Sequence, residues 1–332
     1  MLDCRCKLLG NKKVVLIATG GTIASERKED TGLLQSGVIS GEEIVQYCDI
    51  PKHIDLQVES MLQKASMHLS FDDLLAIKER IDWHLANDQV SGVVITQGTD
   101  TLEETSYFMN LITDHEKPIV FTGSQRSPRE VGTDAFINIK HAVLTASSND
   151  LYNVGVVVVF NERIFHSRYV KKEHASNVQG FNSFGFGYLG IIDNEAVHIF
   201  QKPIGNEYYK LTNVIPEVDI IKCYMQAGDK YIRAAREAKV DGIILEGVGR
   251  GQVSPGMMTE IKRCVKSGII VVITTSAVEG EVYTTYDYKG STFDLKQAGV
   301  ILGRDYDSKK ARIKLMVGLA SEQRDIAALF AV

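Results

Sequence analysis

The chain has 332 residues, 44% apolar and 24% charged, the make-up of an ordinary globular protein long enough for two domains. Its formal charge of −5 argues against any general attraction to nucleic acid or acidic lipid. The five cysteines, Cys4, Cys6, Cys48, Cys223 and Cys264, are odd in number and scattered, which points to reduced thiols rather than a disulfide framework.

The first segment, MLDCRCKLLGNKK, mixes acid and base without an apolar core of signal-peptide length, and no later run approaches ~18 apolar residues. A cytoplasmic protein with no membrane partner is expected. Cys4 and Cys6 have no second Cys/His pair at a zinc-like spacing, so no metal is expected.

The run Val14 to Ala18 reads as a strand covered on both faces, and Gly20-Gly21 then turn the chain sharply to deliver Thr22 at its open end. Thr22 could cap the next element or serve chemistry. Ser70 to Asn87 reads as a helix, with Leu74, Ile77, Ile81 and Leu85 in one stripe behind a Ser70/Asp73 capping box. GVVITQ, from Gly92, is a second buried strand. It runs into Gly98 and offers Thr99, Asp100 and Thr101 before a helix opened by Glu103 and Glu104, whose N-cap could be Asp100 or Thr101. PIVFTG, from Pro118, ends in Thr122-Gly123-Ser124-Gln125. VGVVVVF, from Val154, precedes RYVKKEH, where Lys171 and Lys172 form either a solvated basic patch or a source of one inward amine.

This alternation predicts an α/β fold: a larger N-terminal domain, 1–190, with a mostly parallel sheet flanked by helices. The polar stretch 191–216 contains two prolines and a Gly-Asn pair and reads as a hairpin and linker. Over 217–332, DIIKCYM, DGIILEG and GIIVVIT alternate with helical stretches near Tyr231 and Met257, and a last helical pair starts at Ser308. That predicts a smaller C-terminal α/β domain with its own parallel sheet.

Three polar strand ends, at Thr22, Thr99 and Thr122, point to a shared cleft, because ligands of open α/β sheets bind at strand ends. The GGT turn lacks the spacing of a dinucleotide fingerprint and the lysine of a P-loop, and EGVGRGQ, Glu246 to Gln252, departs from that spacing too. Asp30-Thr31-Gly32 has no partner carboxylate with which to share a proton. A hydroxyl nucleophile needs a base or relay. Only His68 lies beside a strand end, so a lysine is the other option: if Lys171 or Lys172 points inward, a Thr99–Lys–Asp100 relay becomes possible.

ATGGTIAS (Ala18 to Ser25) followed by ITQGTDTLEET (Ile95 to Thr105) resembles the paired signature of the bacterial-type L-asparaginases, the asparaginase/glutaminase family. KPIVFTGSQR, RYVKK, FNSFGFGYLG and EGVGRGQVSP add weaker agreement. The resemblance implies hydrolysis of a side-chain amide of a small amino acid, without metal or cofactor. It implies Thr22 as nucleophile on a lid loop, and Thr99, Asp100 and Lys172 as the relay, Lys172 being preferred to Lys171 because Arg168 and Val170 align with the family pattern. Ser66, with backbone at Ala65 and Asp100, is implied to bind the substrate carboxylate, and Asp100 its amino group. A homo-oligomer, dimer or tetramer, is implied as well, with Gln252 contributed by a neighbouring chain.

Three departures bear on the substrate. The lid stretch ERKEDTGLLQSG has no tyrosine, Met67 and His68 follow Ser66 where a glutamine is usual, and the acidic residue of a neighbouring chain is placed at Asp287 only as a guess. Losing one polar contact costs on the order of 1–3 kcal/mol, enough to shift preference among asparagine, glutamine and other amides. A non-catalytic amino-acid-binding protein is the alternative from another class.

Overall fold

The structure, a computed structural model, describes residues 11–331; Cys4 and Cys6 lie outside them. The chain divides into two compact units between Tyr208 and Tyr209.

In the first unit, β1 (Lys12–Gly20) leads through a 3-10 turn at Thr22–Ala24 to a small hairpin of β2 (Glu26–Arg27) and β3 (Leu34–Gln35). Helix α1 (Gly41–Val45) and strand β4 (Ile54–Lys64) follow. Helix α2 (Phe71–Leu85) starts from the expected capping box: the Ser70 hydroxyl accepts from Asp73 N–H, and the Asp73 carboxylate accepts from Ser70 N–H. Its stripe of Leu74, Ile77, Ile81 and Leu85 is buried. Then come β5 (Val90–Thr96), α3 (Leu102–Ile112), β6 (Ile119–Thr122), α4 (Ala135–Ser147), β7 (Val156–Phe160) and β8 (Arg163–His166). A two-residue ladder joins β9 (Lys171–Lys172) to β10 (Phe181–Asn182), and the hairpin β11 (Gly190–Asp193) and β12 (Ala196–Ile199) completes the unit's strands.

Eight of these strands form one mixed sheet in the order β12-β11-β8-β7-β6-β5-β1-β4. The run from β4 to β7 is parallel, and β8, β11 and β12 extend it antiparallel. Helices α2 and α3 pack together on one face, α1 and α4 on the other. Both faces are thus covered, which is why β1, β5, β6 and β7 are nearly continuous apolar runs. On the α4 side Val14, Leu16, Val94, Val120, Ile139, Val143 and Val157 form the core. The chain leaves β1 for β4 on one side and returns to β5 on the other. This reversal opens a crevice at the carboxyl ends of β1 and β5.

Residues 200–210 form no strand or helix, and Leu211 pairs with Ser321 as an isolated bridge. The second unit contains β13 (Val218–Lys222), α5 (Lys230–Ala238), β14 (Gly242–Gly247), α6 (Met258–Lys266), β15 (Ile270–Thr275), α7 (Thr292–Gln297), β16 (Ile301–Leu302) and α8 (Ser308–Ala320). Its four-stranded parallel sheet runs β13-β14-β15-β16 in simple sequence order. Helices α5 and α6 pack together, and α8 lies against β13, β14 and β15. The helical pair expected from Ser308 is one α-helix followed by a 3-10 turn, Ala327–Phe330. Among the described residues no helix is long and apolar enough to cross a membrane.

Candidate active site

The crevice of the first unit is built by glycines that let backbone meet backbone. Gly21 has φ +87°, and a Cβ there would lie 2.2 Å from Gly98 N. A Cβ on Gly98 would in turn meet Ser66 Oγ at 3.0 Å. Side chains at these positions would hold the loops apart; without them, the loops after β1, β4 and β5 close onto one another. Thr22, Ser66 and Thr99 are therefore carried to one place.

Thr22 is the first residue of its 3-10 turn, the N-cap being Gly21, which makes no side-chain capping bond. The turn is fixed around it: Gly21 N–H donates to Ser36 Oγ at 3.0 Å, and Ser25 Oγ donates to Gly21 O at 2.7 Å. Thr22 is thus not the cap of this turn, and its side chain is half-buried. The stretch ERKEDTGLLQSG folds as the β2–β3 hairpin. Arg27 Nη1 donates to Gly32 O at 2.8 Å, and Arg129 pairs with Glu26 at the hairpin's base.

At the end of β5 the helix N-cap is Thr101, without a side-chain capping bond. The Thr101 hydroxyl donates instead to Ser66 O at 3.1 Å, tying the loop after β5 to the Ala65–Ser66 turn. That frees Thr99 and Asp100. Lys172 Nζ donates to Thr99 Oγ1 at 2.8 Å and to Asp100 Oδ1 at 2.6 Å. Thr99 is 5% exposed and the Lys172 side chain 14%, whereas the Asp100 side chain is 66% exposed. The ammonium is thus held inside, with the carboxylate facing outward. Of the two lysines in RYVKKEH, Lys172 is the one that turns inward to Thr99 and Asp100.

Ser66 is buried in the 3-10 turn Ser66–His68 that follows β4, and Ala65 is that turn's N-cap. Met67 and His68 are both exposed, Met67 at 68%. Asp73, nearby at the start of α2, accepts two bonds of 2.8 Å from Lys64 Nζ. Its burial works to raise the pKa, but the Lys64 and Ser70 hydrogen bonds outweigh it and hold the carboxyl below its ordinary value.

Two polar residues that strand-end reasoning left without a role also touch this cluster. Glu103 Oε2 accepts the Lys172 N–H at 2.7 Å. Gln125 Oε1 accepts from Thr99 Oγ1 at 3.4 Å, while Gln125 Nε2 donates to His174 O at 3.4 Å. Strand ends alone marked Gln125 as polar; nothing local marked Glu103 as more than a helix opener.

In the second unit, Gln252 follows β14. Its Oε1 accepts from Thr292 N–H at 3.0 Å, and its Nε2 is buried without a partner among the described residues. Asp287 is exposed in a stretch without strand or helix.

A hydroxyl on a tight turn, beside a hydroxyl–ammonium–carboxylate chain that runs from buried Thr99 to exposed Asp100 at a sheet's switch point, has the parts of a covalent hydrolase. Comparison with known proteins gives that class a family. The model of the asparaginase N-terminal domain matches residues 13–205, and that of the glutaminase/asparaginase C-terminal domain matches residues 217–330. An L-asparaginase of Bacillus licheniformis is 56% identical over 316 residues, covering 95% of this chain and 98% of that protein. L-asparaginase 2 of Bacillus subtilis is 32% identical over 312 residues, 92% of this chain and 81% of its own length. A glutaminase-asparaginase of Pseudomonas fluorescens is 29% identical over 320 residues, 93% and 87% of the two chains. The chain belongs to the asparaginase/glutaminase family.

Proposed function

We propose that the chain is an L-asparaginase, hydrolysing L-asparagine to L-aspartate and ammonia through a threonine acyl-enzyme. The observation that carries this reading is Lys172 Nζ, 2.8 Å from Thr99 Oγ1 and 2.6 Å from Asp100 Oδ1, beside the turn that presents Thr22. Thr22 Oγ attacks the carboxamide carbon as its proton passes through Thr99 to Lys172, acting as a free amine held by Asp100, and on to the leaving nitrogen. The C–N bond breaks, ammonia departs, and an ester to Thr22 remains. Water then adds to that ester, releases aspartate and returns the proton to Thr22 Oγ.

Charge developing on the carbonyl oxygen needs preorganised donors, a role for backbone N–H groups near Thr99 and in the Gly20-Gly21-Thr22 turn other than that of Gly21, which Ser36 Oγ holds. Ser66 and the backbone at Ala65 and Asp100 take the substrate α-carboxylate. The exposed Asp100 carboxylate takes the α-ammonium. In this reading the active form is a homo-oligomer, a dimer or tetramer, in which Gln252 of a neighbouring chain completes the site. The cytoplasm is the proposed compartment, in keeping with three free, buried thiols at Cys48, Cys223 and Cys264.

Exposed Met67, in place of the family glutamine, favours a second reading: glutaminase or hydrolase of another amino-acid amide. A screen of L-asparagine, L-glutamine, their D-forms and N-substituted amides for ammonia or amine release separates the two. The expected outcome is fastest release from L-asparagine, with Thr22→Ala and Lys172→Met silent. Release from no amide at all would leave an amino-acid-binding protein instead.

A further inference from the structure

Lys172 reaches Thr99 and Asp100 from a segment with little regular structure of its own. Its strand, β9, is two residues long and pairs antiparallel with β10, and a ladder of that size is marginal in water. Lysine adds a flexible four-carbon stem with several torsions to fix. Some other contact has to set where the backbone of Lys172 sits.

Glu103 makes that contact. Its Oε2 accepts the Lys172 N–H at 2.7 Å, and the residue is 2% exposed. A bond of this length lies at the short end for an N–H donor and an oxygen acceptor. Glu103 belongs to the first turn of α3, the helix whose start also presents Thr99 and Asp100. One rigid helix start therefore grips the lysine at both ends: backbone N–H on Glu103, ammonium on Thr99 and Asp100. Gln125 ties down the chain just beyond, at His174 O.

We infer that Glu103 is a positioning residue for amide hydrolysis, acting by fixing the backbone of Lys172 so that Nζ meets Thr99 and Asp100 together. The inference rests on reading Lys172 as part of the relay. A displacement of about 1 Å at a reacting group costs on the order of 10²-fold in rate, so loss of the acceptor oxygen falls mainly on kcat.

The test compares kcat, KM and Tm for Glu103→Ala, Glu103→Gln and Lys172→Met. Glu103→Ala should lower kcat by roughly 10- to 100-fold while KM stays within about threefold. Glu103→Gln, which keeps an acceptor oxygen, should hold kcat within about threefold of the parent. A Glu103→Ala protein with parental kcat, beside an inactive Lys172→Met, overturns the role of Glu103 and leaves the relay standing. Equal loss in both Glu103 variants also overturns it, since the carboxylate's charge rather than its acceptor would then matter. Should Glu103→Ala not fold, a folded Glu103→Gln with a tenfold or greater loss of kcat decides against the inference by the same reasoning. A fully active Lys172→Met removes the relay and this inference with it.

Discussion

Each of the two large sheets has a lysine–carboxylate pair at the carboxyl ends of its strands, and the two pairs are buried the opposite way round. Beyond β5 of the larger sheet, Lys172 is 14% exposed and Asp100 66%; in the smaller, Lys222 is 74% exposed and Glu246 11%. Glu246 also accepts from the Ser308 hydroxyl, so one of its oxygens is bound at the start of α8. Asp100 keeps an open side. The sheets differ in winding too: β1 sits between β4 and β5, a reversal of strand order, whereas β13 to β16 follow one another. A polar strand end thus marks a site where the winding opens a crevice and a buried cation is brought to it. Where the winding does not reverse, the same residue types serve the fold.

The sharpest way to break this comparison is to neutralise both carboxylates. Asp100→Asn should lower kcat/KM on the order of 10²- to 10⁴-fold, the range for a lost acid–base group. Glu246→Gln should leave kcat/KM within a few-fold and instead cost roughly 1–2 kcal/mol of stability, from a weakened buried hydrogen bond. Steady-state ammonia release and thermal unfolding on the two variants measure both. Parental activity in Asp100→Asn would mean that the two pairs are alike after all.

The crevice itself is tested at Gly21. A methyl group there falls on the backbone of Gly98, where no side chain can rotate away, so the loops must part and carry Thr22 from Thr99. Gly21→Ala should cost on the order of 10²-fold in kcat, together with about 1–3 kcal/mol of stability for the positive φ and the clash. An active, stable Gly21→Ala protein would show that the loops need not touch.

Much of this was legible in the sequence because burial writes itself as apolar runs. Strands β1, β5, β6 and β7 lie between two helical layers, so their ends could be read off directly, and Thr22 and Thr99 with them. Strand β4 was not read, although it brings Ser66 to the crevice. It is an edge strand with alternating exposure, Ile54, Leu56 and Val58 inward and Asp55 and Gln57 exposed, so it shows period-two patterning without an apolar run. Lys172 became a definite choice over Lys171 through resemblance alone, and Glu103 was passed over. Their meeting spans 69 positions, and a contact between a helix start and a two-residue strand leaves no local period. The sequence left the N-cap open between Asp100 and Thr101, and that the Thr101 hydroxyl turns to Ser66 O could not be read, because only the folded crevice supplies that acceptor.

The smallest effect sharpens the comparison where the two units are most alike. Each unit starts a helix with Ser-x-x-Asp and brings a lysine to the aspartate: Ser70, Asp73 and Lys64 at α2, and Ser291, Asp294 and Lys262 at α7. Burial raises each aspartate's pKa, but hydrogen bonds win: chiefly from Lys64 and Ser70 at Asp73, and from Gly290 N–H and Lys262 at Asp294. Both folded pKa values end below the ordinary 3.8. A carboxyl with a depressed folded pKa stabilises above its unfolded value, and that stabilisation is lost as pH falls from there through the folded value. Asp73→Asn and Asp294→Asn should therefore each cost about 1 kcal/mol at pH 7, the scale of a helix cap. The gap from the parent should narrow once pH drops below about 4. Thermal unfolding across that range measures it, and a gap unchanged by acid would mean that the caps act through shape rather than charge. Neither variant touches the crevice residues, so ammonia release at pH 7 should stay within about twofold for both, which separates what these lysine–aspartate pairs do for the fold from what Lys172 and Asp100 do for a substrate.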